Sequence, residues 1–136
     1  MRDILFKNDS TITPIDLADV FRDSNINEQY QDLDRLQKML DHANILNTAW
    51  DEEKIVGVVI GITDFSFCCY LTVLAVKRDF HNQGIESELL GHVHELLDEN
   101  VDIILMSESD PSDYDKQNQF DRIANGYMIH MNQKHV

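Results

Sequence analysis

The sequence predicts an α+β domain: a mixed, mostly antiparallel sheet flanked by helices. Three observations predict it. Three apolar segments, the middle one rich in Val and Ile, lie between residues 45 and 76, separated by charged or polar turns, as in an antiparallel meander. Two stretches with helical spacing of apolar residues precede them. A helical pattern from Ile85 and the apolar run Ile103–Met106 follow them, and a strand, helix, strand succession implies a parallel pair.

Each element has its own signal. Ile4–Lys7 reads as a short edge strand. Thr13-Pro14-Ile15-Asp16 reads as a helix start: a capping hydroxyl, proline at the first helical position, and an acid at the positive end. Leu17, Val20 and Phe21 continue that helix, and the polar stretch Asp23–Gln31 ends it. Leu33, Leu36 and Leu40 mark a second amphipathic helix that finishes near Ala43. Ile45–Trp50, the charged turn Asp51–Lys54 and Ile55–Thr63 form a hairpin, and Phe65–Val76 is its third strand. After a polar loop, Lys77–Gln83, and Gly84, one helical face carries Ile85, Leu89, Val93, Leu96 and Leu97 as far as about Asn100. Val101–Ser107 reads as a buried strand. Phe120–Ile123 and Gly126–Met131 are short strand candidates.

Composition narrows the function. The 136 residues suit one domain, 1–136, and 43% apolar content suits a packed core. Asp plus Glu number 25 against 11 Lys plus Arg, a formal charge of −14. Such a surface repels phosphate, which argues against nucleic acid and anionic membranes as partners. The longest apolar run, Ile55–Ile62, is too short to span a bilayer, and the N-terminus lacks the pattern of a secretory signal. Cys68 and Cys69 are adjacent and would point to opposite faces of a strand, so they cannot readily pair; the expected compartment is the reducing cytoplasm.

The segment Tyr70–Leu90 carries the chemistry. An apolar strand ends in Leu74-Ala75-Val76, a polar loop with one glycine follows, and a helix opens at once. Unpaired backbone N–H groups and the positive end of a helix dipole then meet at one spot, where phosphate binds well. A Gly84 that merely permits a tight strand-to-helix turn gives the same pattern.

The window His81-Asn82-Gln83-Gly84-Ile85-Glu86, between Leu74-Ala75-Val76 and Ser87-Glu88-Leu89-Leu90, resembles the signature loop of the GNAT superfamily of acyl-CoA N-acyltransferases. The order of elements over most of the chain is similar too. The resemblance implies a GNAT-like fold and acetyl-CoA as cosubstrate. It implies that the coenzyme pyrophosphate is cradled by His81, Asn82, Gln83, Gly84, Ile85, Glu86 and Ser87. The backbone of Leu74 and Val76 would meet the pantetheine arm where the fourth and fifth strands splay apart. In many members a tyrosine near the C-terminus protonates the departing thiolate. Anchored on Phe120, Asp115 stands in that slot and Gln119 in the glycine slot that follows, so the neighbouring Tyr114 is the candidate general acid, and it reads equally as an ordinary loop tyrosine.

Two departures stand out. His81 replaces the usual Gln or Arg, and its imidazole can still contact phosphate. Glu86 replaces the usual Gly or Ala, so it would crowd and repel the pyrophosphate. No acid lies on Cys68–Val76 to act as a base; Glu108 and Asp110 are the nearest alternatives, and each reads equally as a solvated loop acid.

Other residues read more simply. His92 and His94 do not share a helix face, so they form no metal pair, and no metal-ligand pattern appears elsewhere. Trp50 and Tyr70 read as packing residues. The expected function is N-acetyl transfer to a small-molecule or peptide amine. The competing reading is the same fold with a decayed site, acting as a binding or regulatory module. Pairing of the C-terminal strand Gly126–Met131 across a homodimer is left open.

Overall fold

The computed structural model describes residues 3–8, 11–24, 31–106 and 125–129. The chain divides into two compact units, Met1–Met106 and Ser107–Val136. The first holds a five-stranded sheet in the order β1-β2-β3-β4-β5. Its strands are β1 (Ile4–Asn8), β2 (Ile45–Asp51), β3 (Lys54–Thr63), β4 (Cys68–Val76) and β5 (Asp102–Leu105). The helices are α1 (Pro14–Arg22), α2 (Leu33–His42) and α3 (Ile85–Leu96), with a 3-10 turn at Arg78–Phe80. The first four strands pair antiparallel, and β5 pairs parallel with β4. This is the mixed, mostly antiparallel sheet that the sequence predicts. In the second unit, residues 125–129 carry no regular secondary structure, so the described part of Gly126–Met131 is not a strand; Phe120–Ile123 lies outside the described residues.

Local chemistry starts the helices where expected. The Thr13 hydroxyl accepts from Asp16 N–H at 3.1 Å, while the Asp16 carboxylate accepts from Thr13 N–H at 3.3 Å. This reciprocal box, with Pro14 just inside the helix, fixes the start of α1. Asp32 caps α2 through Arg35 N–H at 3.1 Å.

The sheet has two buried faces. Ile12, Leu17, Val20, Phe21 and Leu36 pack with Ile55, Val58, Ile60, Val73 and Ala75, with Trp50 and Leu40 partly buried against them. Val59 and Leu74 alternate with these along β3 and β4 and lie under α3, whose Ile85, Leu89, Leu90 and Val93 are buried.

Three boundaries differ from the sequence reading. The apolar stretch Phe65–Val76 does not form one strand, because β4 begins at Cys68. Asp64 Oδ1 accepts from the amides of Ser66, Phe67 and Cys68 at 2.9, 2.8 and 3.2 Å, which turns Phe65 to a φ of 60° and leaves Phe65 and Phe67 exposed. α3 stops at Leu96 rather than near Asn100, since Leu97 leaves the helix at φ −113°, ψ 148°. β5 is not fully buried: its residues alternate between exposed and half-buried, and Ile104 and Met106 are exposed. The apolar run marks a strand with only one face toward the core.

The Asp64 fork is directly testable. Its amide donors hold the carboxyl below the ordinary value of 3.8. A carboxylate with a lowered folded-state pKa adds stability above its unfolded value and loses it as pH falls through the folded one. Asp64→Ala therefore lowers Tm at neutral pH and flattens the acid limb of the Tm profile, with Asp64→Asn in between. Thermal denaturation at stepped pH reads both.

Candidate functional site

The site begins at the end of β4. Lys77 N–H donates to Val56 O at 2.9 Å, so the strand's alternation turns the peptide groups of Ala75 and Lys77 toward β3. Those of Leu74 and Val76 then face the opposite edge. On that edge the pairing with β5 stops at Leu71↔Leu105. Across β3 the register shifts between Ile60, which opposes Val73, and Gly61, which opposes Leu71. Thr72 is therefore the extra residue of a β-bulge, and its hydroxyl donates to Ile60 O at 3.2 Å. A bulge bends and twists its strand, and β5 does not follow. Among the described residues no strand lies beside the outer edge of 72–76, so the peptide groups of Leu74 and Val76 face a notch.

The loop after β4 is held at several points. Arg78 N–H donates to Asp23 O at 2.9 Å, Phe80 N–H to Lys77 O at 2.9 Å, and His81 N–H to Arg78 O at 3.1 Å. The Phe80 side chain is buried beneath. Lys77 Nζ meets Asp19 Oδ2 at 2.6 Å, and Arg22 pairs with the same carboxylate. His81 Nε2 lies 2.8 Å from Val76 O. A carbonyl only accepts, so Nε2 carries the proton, and a neutral His81 offers Nδ1 as a lone pair. The sequence reading gave His81 to phosphate and the Val76 backbone to pantetheine. In the structure the imidazole and that carbonyl are bonded to each other, so a neutral His81 has no N–H left for phosphate, and Val76 keeps its N–H for a ligand.

Gly84 then starts α3. It sits at φ 79°, ψ 9°, in the left-handed region, after Asn82 at φ 64°. A Cβ on Gly84 would meet nothing within 4 Å, so the space before the helix is open. The first amides of a helix have no carbonyl partner within it, and they point to this space with the dipole's positive end. The helix lies close on the sheet because β3 carries Gly57 there. A Cβ at Gly57 would stand 3.3 Å from both Ile85 Cγ2 and Val76 Cγ2.

The two flanks of α3 differ. Gly84, Ile85 and Glu88 border a cleft beside Ile4 and Phe6 of β1, and His92 lies against Phe6 with ring centroids 5.4 Å apart. Helical periodicity puts Glu86 and Leu90 on the other flank, toward the free edge of β4. Glu86 is half-buried. Burial pushes its carboxyl above the ordinary range, and the nearby His81 pulls it partly back.

Leu74, Val76, His81, Asn82, Gln83, Gly84, Ile85, Glu86 and Ser87 thus converge on one end of β4. Tyr114, Asp115, Gln119, Glu108 and Asp110 lie outside the described residues. Among the described residues no cluster of three His, Cys, Asp or Glu could hold a metal ion. Nor is any described helix long and apolar enough to cross a membrane. Sequence reasoning missed the Thr72 bulge and the part played by Gly57. Gly57, inside a run of Val and Ile, was the available signal for a close approach to the sheet.

In this mixed sheet the fourth strand ends in a notch beside a helix N-terminus. The family model described as acetyltransferase (GNAT) family matches residues 14–119, and the chain belongs to that family. A probable acetyltransferase of meticillin-resistant Staphylococcus aureus has a similar structure, with a TM-score of 0.77 at 16% identity over 94% of this chain and 99% of that one. A GNAT family protein of Streptococcus pneumoniae TIGR4 gives 0.77 at 18% identity, over 97% and 100%. An aminoglycoside acetyltransferase from an uncultured soil metagenomic sample, in complex with sisomicin, gives 0.61 at 18%, over 93% and 96%. No curated protein matches the sequence.

Because Gly84 has open space but a left-handed backbone, Gly84→Ala destabilises by about 1 kcal/mol through strain alone, and Gly84→Asn by less. Chemical denaturation measures the difference.

Proposed function

We propose that this chain is an N-acetyltransferase that moves an acetyl group from acetyl-CoA to a primary amine by direct transfer. The observation that carries the reading is the meeting, at one end of β4, of outward-facing peptide groups and the open first turn of α3. The residues present fit the coenzyme in shape: an extended edge for an amide-bearing arm and a helix start for its diphosphate. Acetyl-CoA supplies an activated thioester. The chain's own task is to align that arm along Leu74 and Val76 and to seat the diphosphate on the loop from Asn82 to Ser87. It must then deliver a proton to the leaving sulfur while the acceptor nitrogen gains the acyl carbon and loses a proton.

Tyr114 is the proposed donor of that proton, since a phenol that titrates near pH 10 is matched to a thiolate. Its assignment rests on the sequence resemblance. The acceptor is a small-molecule or peptide amine, and a net charge of −14 favours a cationic one by long-range attraction. Cys68 and Cys69 are both free thiols, one exposed and one buried, which suits a reducing cytoplasm.

Calorimetric titration with acetyl-CoA tests the reading, and micromolar affinity is expected. No heat and no thermal shift at millimolar ligand would instead favour a decayed binding module, a second reading that the half-buried carboxylate of Glu86 supports. In an acetylation assay with the acceptor that a panel of amines identifies, Tyr114→Phe lowers turnover by about a hundredfold or more, the lower end of what a general acid contributes. An unchanged rate removes Tyr114 from the mechanism.

A further inference from the structure

The notch holds one group whose charge opposes the ligand proposed for it. Glu86 is the second residue of α3, on the flank that faces the free edge of β4. It is half-buried, so its carboxyl is not freely hydrated. The space in front of Gly84 is open, and a diphosphate placed there would lie within the same helical turn as the carboxylate.

We infer that Glu86 sets donor affinity: as a carboxylate it repels the diphosphate from the first turn of α3, and once protonated it lets the diphosphate in. This rests on the donor-site reading above and goes beyond it, because it makes donor binding an event coupled to proton uptake.

The surroundings support that coupling. Burial already raises the carboxyl, and His81 is the titratable group that acts on it among the described residues. The stretch of β4 beside it, Leu71–Val76, carries no titratable side chain. On β5, Asp102 pairs with Cys68 at the far end of the strand, and Glu88 of α3 and Asp79 of the loop line the cleft on the opposite flank. A diphosphate brought close adds negative charge and raises the carboxyl further, so binding takes up a proton there. By linkage, affinity then rises as pH falls through the raised value. The chains compared differ only at position 86, so a difference in their pH dependence traces to that side chain.

The test is calorimetric titration of acetyl-CoA into the wild-type chain, Glu86→Gln and Glu86→Ala, from about pH 5 to about pH 8, in buffers of different ionisation heat. Glu86→Gln is expected to bind about tenfold more tightly at the upper end, with an advantage that shrinks as pH falls, and to take up fewer protons. Equal affinity and proton uptake at every pH overturn the inference and leave the donor site standing. Tightening in Glu86→Ala without tightening in Glu86→Gln also overturns it, because side-chain size is then the cause. Absence of binding in all three chains at every pH removes the donor-site reading and the inference together.

Discussion

At the end of β4 one edge has no neighbouring strand among the described residues, and His81 takes the Val76 carbonyl there in place of a strand. A central strand normally satisfies both edges. Here the Thr72 bulge turns the strand just where its pairing with β5 ends, so among the described residues one edge of Leu74 and Val76 has no neighbouring strand. The β3 side remains fully paired, which keeps those groups fixed. Gly57 lets α3 settle close enough that its first turn opens at the same end.

Charge works against shape in this site. A helix start attracts anions, but the protein carries 25 acidic residues, and two of them, Glu86 and Glu88, occupy the first turn itself. The opposition is local as well as global. Surface acids far from the site are screened beyond roughly 8 Å at physiological salt, whereas a half-buried carboxylate in the same turn is not. Of the two acids in that turn, Glu86 is the half-buried one and Glu88 the exposed one, so Glu86 is the less screened.

Much of the fold could be read from the residues. The box around Thr13 and Asp16, the leucine spacing of α2 and the strand, loop and helix from Leu71 onward are local signals, and each forms the element expected. The misses are tertiary in origin. Nothing in the composition of Phe65–Phe67 separates it from the strand that follows; the separation comes from one carboxylate gathering the amides of Ser66, Phe67 and Cys68. Ile103–Met106 looks like a buried strand, but burial depends on what covers each face, and a run of apolar residues does not encode that. At the site, the loop's identity was legible and the pairing of His81 with Val76 was not. A side chain's choice between a ligand and a nearby carbonyl depends on distances that spacing cannot supply. Thr72 gave no signal either, because a bulge is a relation between two strands.

The anchoring of the loop after β4 has one more consequence. Val56, Asp23 and Val76 supply carbonyls that fasten it to three separate elements, and Phe80 roots it in the interior. A cup so tethered keeps its outline before any guest arrives, and capture demands little loss of motion from the host. Its response to a guest is then decided by electrostatics rather than by rearrangement, as in a mould whose contour is set and whose polarity alone can be tuned.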